Sequence, residues 1–322
     1  MRGRIPARSF PLTARPLAAV LAAALALSAC VSLVPPPPGP APGPVPGPAA
    51  PQPETAKSAA ARAYFAKVQA SLLSQGLLRT DGGGPDTPFT DRMLAENFLR
   101  IGLYDEYSRL GGGFVREEAS SILRRWEIPV RVGLRFGASV PSDRRAADRA
   151  RIGSYLARLS RTTGHPIALV DGGANFILHI VSEDEREALG PSLQADMPGL
   201  SARDIADVTH MPRTTYCLVY ALSEGNTGAY SRAVAVVRAE HPDLLRQSCF
   251  HEEIAQGLGL ANDSPAARPS IFNDDEEFAL LTRQDELMLK MLYDPALRPG
   301  MKLTEARPIV LSLANRLIGG DS

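Results

Sequence analysis

The densest run of reactive side chains is Cys249-Phe250-His251-Glu252-Glu253-Ile254-Ala255-Gln256-Gly257-Leu258-Gly259-Leu260-Ala261-Asn262-Asp263. His251-Glu252 opens like a zinc-binding helix, in which two imidazoles four residues apart share one face beside a Glu that acts as base. The residue four after His251 is Ala255, so that pattern is not completed. His251 reaches a metal only through a different helix register. What the run supplies is oxygen, from Glu252, Glu253, Gln256, Asn262 and Asp263. Glu252 and Gln256 stand i, i+4 and share a helix face. Carboxylates and neutral amides are poor partners for zinc and suit a hard divalent cation such as Ca²⁺ or Mg²⁺ better. Asn262-Asp263 also reads as a plain turn, because both residue types favour such backbone conformations. His165, His179, His210 and His241 show no ligand spacing, and His179 lies in an apolar run that reads as core.

These side chains need a helix and a scaffold to aim them. Pro242 suits a first helical turn, and the helix runs to about Gly257. Two strands precede it, Thr215 to Leu222 and Tyr230 to Ala239, joined by the Gly-rich turn Ser223-Glu224-Gly225-Asn226-Thr227-Gly228. Upstream, Val130 to Phe136 alternates with period two and predicts a strand. A helix from about Asp143 to Thr163 follows, capped by Ser142 and ended by Gly164. Ile167 to Val170 is a short strand, and Asn175 to Val181 is nearly continuous in apolar residues, as an internal strand is. Ser182-x-x-Glu185 resembles a capping box, and residues 186–213 read as an irregular excursion with a short helix after Ser201. Earlier helices are expected over Glu54 to Leu78 and Asp91 to Gly102. The order predicts an α/β or α+β domain with helices before its sheet.

The chain start has another purpose. Arg2, Arg4, Arg8 and Arg15 precede the unbroken apolar run Leu17 to Leu27, which is too short to span a bilayer and suits a signal-peptide core. Leu27-Ser28-Ala29-Cys30 resembles the lipobox of bacterial lipoproteins, where cleavage frees the cysteine for lipid attachment. Val31 rather than Asp after Cys30 favours an outer-membrane destination by analogy with enteric lipoproteins. Residues 35–53 hold 11 of the 28 prolines and predict an extended tether. The expected parts are a signal over 1–29, a lipidated Cys30 and Pro-rich tether over 30–54, and one domain over 55–322. The chain carries 35 basic and 35 acidic side chains, and loss of the four signal arginines leaves a formal charge of −4. That balance argues against a nucleic-acid partner, which would call for a basic surface.

Around the glycine, Leu258-Gly259-Leu260 resembles the helix end of metzincin zinc proteases. Their motif is His-Glu-x-x-His-x-x-Gly-x-x-His, and its glycine turns the chain back so that the third His reaches the metal. In this register Glu253 falls on the catalytic Glu, which the resemblance makes a general base. Glu252, Gln256 and Asn262 fall where the three His would stand. Ser270-Ile271-Phe272 looks like the Met-turn with Phe272 for Met, and the stretch from Leu281 to Tyr293 looks like the final helix. The resemblance covers roughly residues 88–300 and implies a zincin domain with a mixed, twisted sheet, a backing helix and a site helix.

The same residues, Glu252-Glu253-x-x-Gln256, Leu258-Gly259-Leu260-x-Asn262-Asp263, Ser270-Ile271-Phe272-Asn273 and Leu292-Tyr293-Asp294-Pro295, resemble the signature of an uncharacterised family of proteobacterial lipoproteins. Three readings follow. One is a degenerate protease fold that binds envelope peptide, protein or glycan through Glu252, Gln256, Asn262 and Asp263, with no cofactor. Another is a hydrolase with an altered site and Glu252 or Glu253 as base. In the third, these groups only satisfy a buried helix end. With Cys30 committed to lipid, Cys217 on a strand and Cys249 on the site helix remain. The implied fold makes those elements neighbours, so a Cys217–Cys249 disulfide is expected, two separate buried thiols being the alternative.

Overall fold

The computed structural model describes residues 54–110, 113–273 and 275–319, with the backbone alone for 105–119. The signal, Cys30 and nearly all of the tether lie outside the described residues. The compact unit spans Ala50–Ser322. Helices α1 (Ala56–Ser74) and α2 (Asp91–Gly102) come first. Strands β1 (Tyr104–Leu110) and β2 (Gly113–Ser120) pair antiparallel as a ribbon of their own. Then come β3 (Arg125–Trp126), β4 (Val130–Phe136), α3 (Ser142–Thr163), β5 (Ile167–Leu169) and β6 (Phe176–Val181). Short helices α4 (Glu183–Glu187), α5 (Gly190–Asp196) and α6 (Ala202–Thr209) precede the hairpin β7 (Cys217–Ser223) and β8 (Ala229–Arg238). Helices α7 (Asp243–Leu258), α8 (Arg283–Leu292) and α9 (Leu303–Ile318) complete the chain.

The sheet is mixed. β5, β4, β6 and β8 lie side by side and run parallel, β3 pairs with the first residues of β8, and β7 adds antiparallel to β8. Both faces are covered, which is why β6 is buried at every residue. Period two sorts β8 between the faces. Ala233, Ala235 and Val237 join the main core with α3, α7 and α8, whereas Val234 and Val236 join a second core with Leu193 of α5 and Val208 of α6. His179 is buried within β6, with Nε2 3.1 Å from Asp196 Oδ2 at the end of α5.

The segment 186–213 is therefore not irregular. It folds as α5 and α6 behind the end of α4, and its apolar residues Leu189, Leu193, Met197 and Leu200 seal the second face of the sheet. Capping boxes at Ser182/Glu185 and Ser201/Asp204 start α4 and α6. Helices this short owe their stability to burial rather than to a long periodic pattern. Helix α9 also lies beyond the sequence-based expectation; Pro308 sits inside it, and Ala306, Val310, Leu313 and Ala314 form its buried stripe.

Candidate functional site

The candidate residues ride on α7, which is fixed at both ends. At its start, Gln69 Oε1 of α1 accepts from the N–H groups of Leu244 and Leu245, both at 3.1 Å, satisfying amides that a helix N-terminus leaves open. At its end, Trp126 Nε1 donates to the Gly257 carbonyl at 2.8 Å and the Tyr293 hydroxyl to that of Leu258 at 3.0 Å. Gly257 lets the helix sit against the sheet, since a Cβ there would lie 2.6 Å from the Phe176 ring. Gly259 turns the chain with φ +127°, and a Cβ there would meet the Arg124 carbonyl oxygen at 2.2 Å. Along the helix, Arg246 pairs with Asp148 of α3 at 3.0 Å, both buried.

Cys217 and Cys249 form a disulfide that joins the first residue of β7 to α7. Two separate thiols are thus excluded in this structure. A cross-link closing a loop of sequence separation 32 is worth about 3–4 kcal/mol in the chain-entropy account.

So fixed, α7 walls a cleft of ≈ 1170 Å³. Every residue of β7 contributes to the lining, as do Ala206, Asp207 and His210 from α6 and its C-cap on another side. β7 pairs only with β8 among the described strands. Glu252, Glu253, Gln256 and Asp263 all face this cleft. Glu253 is 3% exposed and Glu252 is half-buried. Gln256 Nε2 donates to Asp263 Oδ1 at 3.0 Å, so one amide and one carboxylate hold each other.

Asn262 does not join them. It is buried, its Nδ2 donates to the Arg100 carbonyl at 2.9 Å, and its backbone N–H donates to the Ile101 carbonyl at 3.1 Å. It satisfies the C-terminal carbonyls of α2 instead of facing the cleft. His251 is also turned away. Its ring stacks on Tyr155 with centroids 3.9 Å apart, and its Nδ1 accepts from the Leu281 N–H at 3.0 Å. Burial pushes its pKa down to about 3, with Arg158 adding to the effect. A metal role for His251 through another register therefore has no geometric basis.

The Ser270-Ile271-Phe272 loop is pinned by Asp285 of α8. This fully buried carboxylate accepts from Ser270 Oγ at 2.6 Å, the Ile271 N–H at 3.1 Å, the Thr282 N–H at 2.9 Å and Thr282 Oγ1 at 2.8 Å. Burial outweighs these donors and pushes its pKa up to about 6.

The donors at the three positions aligned with protease ligands do not fit a tetrahedral zinc centre. Of the three positions aligned with ligands, Glu252 offers a carboxylate, Gln256 an amide committed to Asp263, and Asn262 nothing. Cys217 Sγ does lie near Glu252 and Glu253, with one ligand atom from each within 4.8 Å of the others, but it is held in the disulfide. The far side of the cleft, from Asp207 and His210 along β7 beyond Cys217, carries no motif and holds none of the residues expected from the sequence. The signal for it was the strand Thr215 to Leu222, whose edge position only pairing reveals.

Among the described residues no helix is long and apolar enough to cross a membrane. No curated protein matches the chain. The match to known families runs over residues 91–312, from the first residue of α2 into α9, and so takes in the whole sheet, α7 and the cleft. By that match the chain belongs to the family described as "Protein of unknown function (DUF2927)".

Proposed function

We propose that this chain is a cell-envelope lipoprotein, anchored through Cys30, whose domain is a zincin-like fold with its ligands replaced. Its cleft binds an envelope peptide or glycan and does not cut it. The observation that carries this reading is the convergence of Glu252, Glu253, Gln256 and Asp263 on one cleft that offers no imidazole at a ligand position. A site helix ended by a turning glycine, a parallel sheet with an antiparallel strand beside that helix, and a supporting loop pinned from α8 support the zincin kinship. With no imidazole at the three aligned positions and Cys217 held in its disulfide, the cleft lacks the protease ligand set that would activate a water to a pKa near 7. The apolar stretch before Cys30 and the proline tether support export and anchoring.

One observation favours a second reading, a hydrolase with Glu253 as general base. Glu253 is almost fully buried in the cleft wall, next to Glu252, where a carboxylate can be tuned for proton transfer. Metal analysis and hydrolysis assays on the purified protein and on Glu253→Gln separate the two. Binding of envelope peptides or cell-wall fragments without turnover in either protein is the expected result. Turnover by the parent that is lost in Glu253→Gln replaces the binding reading with the hydrolase.

A further inference from the structure

Both half-cystines are buried, Cys217 at 9% and Cys249 at 2% exposed. Cys217 borders the cleft, and the sulfur of Cys249 lies 3.7 Å from Nδ1 of the buried His241. The sulfur of Cys217 and one carboxylate oxygen each from Glu252 and Glu253 lie within 4.8 Å of one another. In a tetrahedral zinc site, bond lengths near 2.3 Å to sulfur and 2.1 Å to oxygen separate such donors by about 3.5 Å. Rotamer adjustment of roughly 1 Å would close that gap. Held in the disulfide, the sulfur is not a thiolate and cannot serve as a ligand.

We infer that reduction of the Cys217–Cys249 disulfide turns this corner of the cleft into a metal site. Cys217, Glu252 and Glu253 are the protein ligands, and the ion is a borderline-soft divalent metal such as zinc. One thiolate and two carboxylates leave a fourth position open to water or ligand, the pattern of an open zinc site. The set differs from the one aligned with protease ligands, because it uses neither Gln256 nor Asn262.

The chemistry balances with a dithiol as reductant. Its thiolate enters from the cleft and attacks Cys217 Sγ, the S–S bond breaks, and Cys249 leaves as a thiolate beside His241. The second thiol of the reductant then attacks the mixed disulfide and releases Cys217. The protein gains two electrons and two protons, and the dithiol becomes a disulfide. Metal binding displaces the Cys217 thiol proton. Oxidation and metal binding thus compete for one sulfur.

Co²⁺ is the probe, because a thiolate bound to it gives an intense near-ultraviolet charge-transfer band that carboxylates do not give. The Cys249→Ser variant of the full-length protein leaves Cys217 free without any reductant. It is expected to bind one Co²⁺ with that band. The parent is expected to do so only after reduction by a phosphine, which separates a misfolded variant from a failed idea. Cys217→Ser should bind at least tenfold more weakly with no band, and Glu252→Gln placed in Cys249→Ser should weaken binding at least tenfold. Absence of the band from the phosphine-reduced parent, or an equal band in reduced Cys217→Ser, overturns the inference.

Discussion

The imidazole of His251 sits one residue from the cleft carboxylates yet belongs to the core. Its ring stacks on Tyr155, whose hydroxyl in turn donates to the His251 carbonyl at 2.9 Å. It stays neutral in the fold, with a pKa near 3 against the ordinary 6.5. His241 behaves alike, its pKa pushed well down by burial and by Arg238 and Arg246. Both contributions to stability are complete above about pH 6.5 and are lost as the pH falls, because the unfolded chain takes up the protons. Asp285 works in the opposite sense. With a folded pKa of about 6 against 3.8, its contribution is full below about pH 4 and lost as the pH rises through 6. Burial also lowers His165 and raises Asp148, so three histidines stand against two carboxyls and stability should fall on acidification below pH 6.5. The slope is about 1.4 kcal/mol per pH unit for each net proton. Urea midpoints at pH 7.5, 6 and 5 measure this, and His251→Gln, which retains an acceptor for the Leu281 N–H, should flatten the profile. Equal midpoints at pH 7.5 and 5 for the parent would refute the assignment.

At the scale of elements, the cleft is only as well formed as the seating of α7. Gly257→Ala tests that seating, because the new methyl would lie 2.6 Å from the Phe176 ring and 3.3 Å from Val219 of β7. Overpacking of this kind costs about 1–3 kcal/mol, to be read from denaturant unfolding. No loss of stability would show that α7 is not held against the sheet. The elements legible in the sequence are those that carry their own pattern. Asp91–Gly102 has an apolar face, Val130–Phe136 has period two, and Ser142–Thr163 ends on Gly164 in the left-handed region, although its N-cap is Pro141, with no side-chain cap, rather than the expected Ser142. The hairpin of β1 and β2 was not legible, because Tyr-Asp-Glu-Tyr-Ser-Arg-Leu has no clean alternation. The candidate site was legible by half. The spacing of Glu252 and Gln256 fixes their common face, whereas the direction of Asn262 depends on the C-terminus of α2, distant in sequence. The Cys217–Cys249 link was reachable once the strand and the helix were placed as neighbours.

At the scale of the whole molecule, the family match begins at Asp91, so α1 lies outside it. Yet α1 is built into the domain. Phe65 packs edge-on against Tyr216 and His241, and Ser58 Oγ donates at 2.6 Å to the buried Glu240. The first helix after the proline segment is thereby part of the scaffold that holds α7 and the cleft. An anchor at Cys30 would hold this whole scaffold to a membrane through the proline segment. On the proposed function, Cys30→Ser should move the protein from the membrane fraction to the soluble fraction and abolish labelling by palmitate. Unchanged partition and labelling would remove Cys30 as the lipid attachment point.

The hydrogen bonds of Asn262 have an evolutionary corollary. A His at this position would not create a ligand, because the side chain here is spent on the Arg100 carbonyl within the core. The substitution would first uncap a helix, with no metal gained in exchange. Gln256 and Glu252 would each need replacing too, and Asp263 would lose its amide donor on the way. Imidazoles at all three aligned positions would thus cost both the α2 cap and the Gln256–Asp263 hydrogen bond.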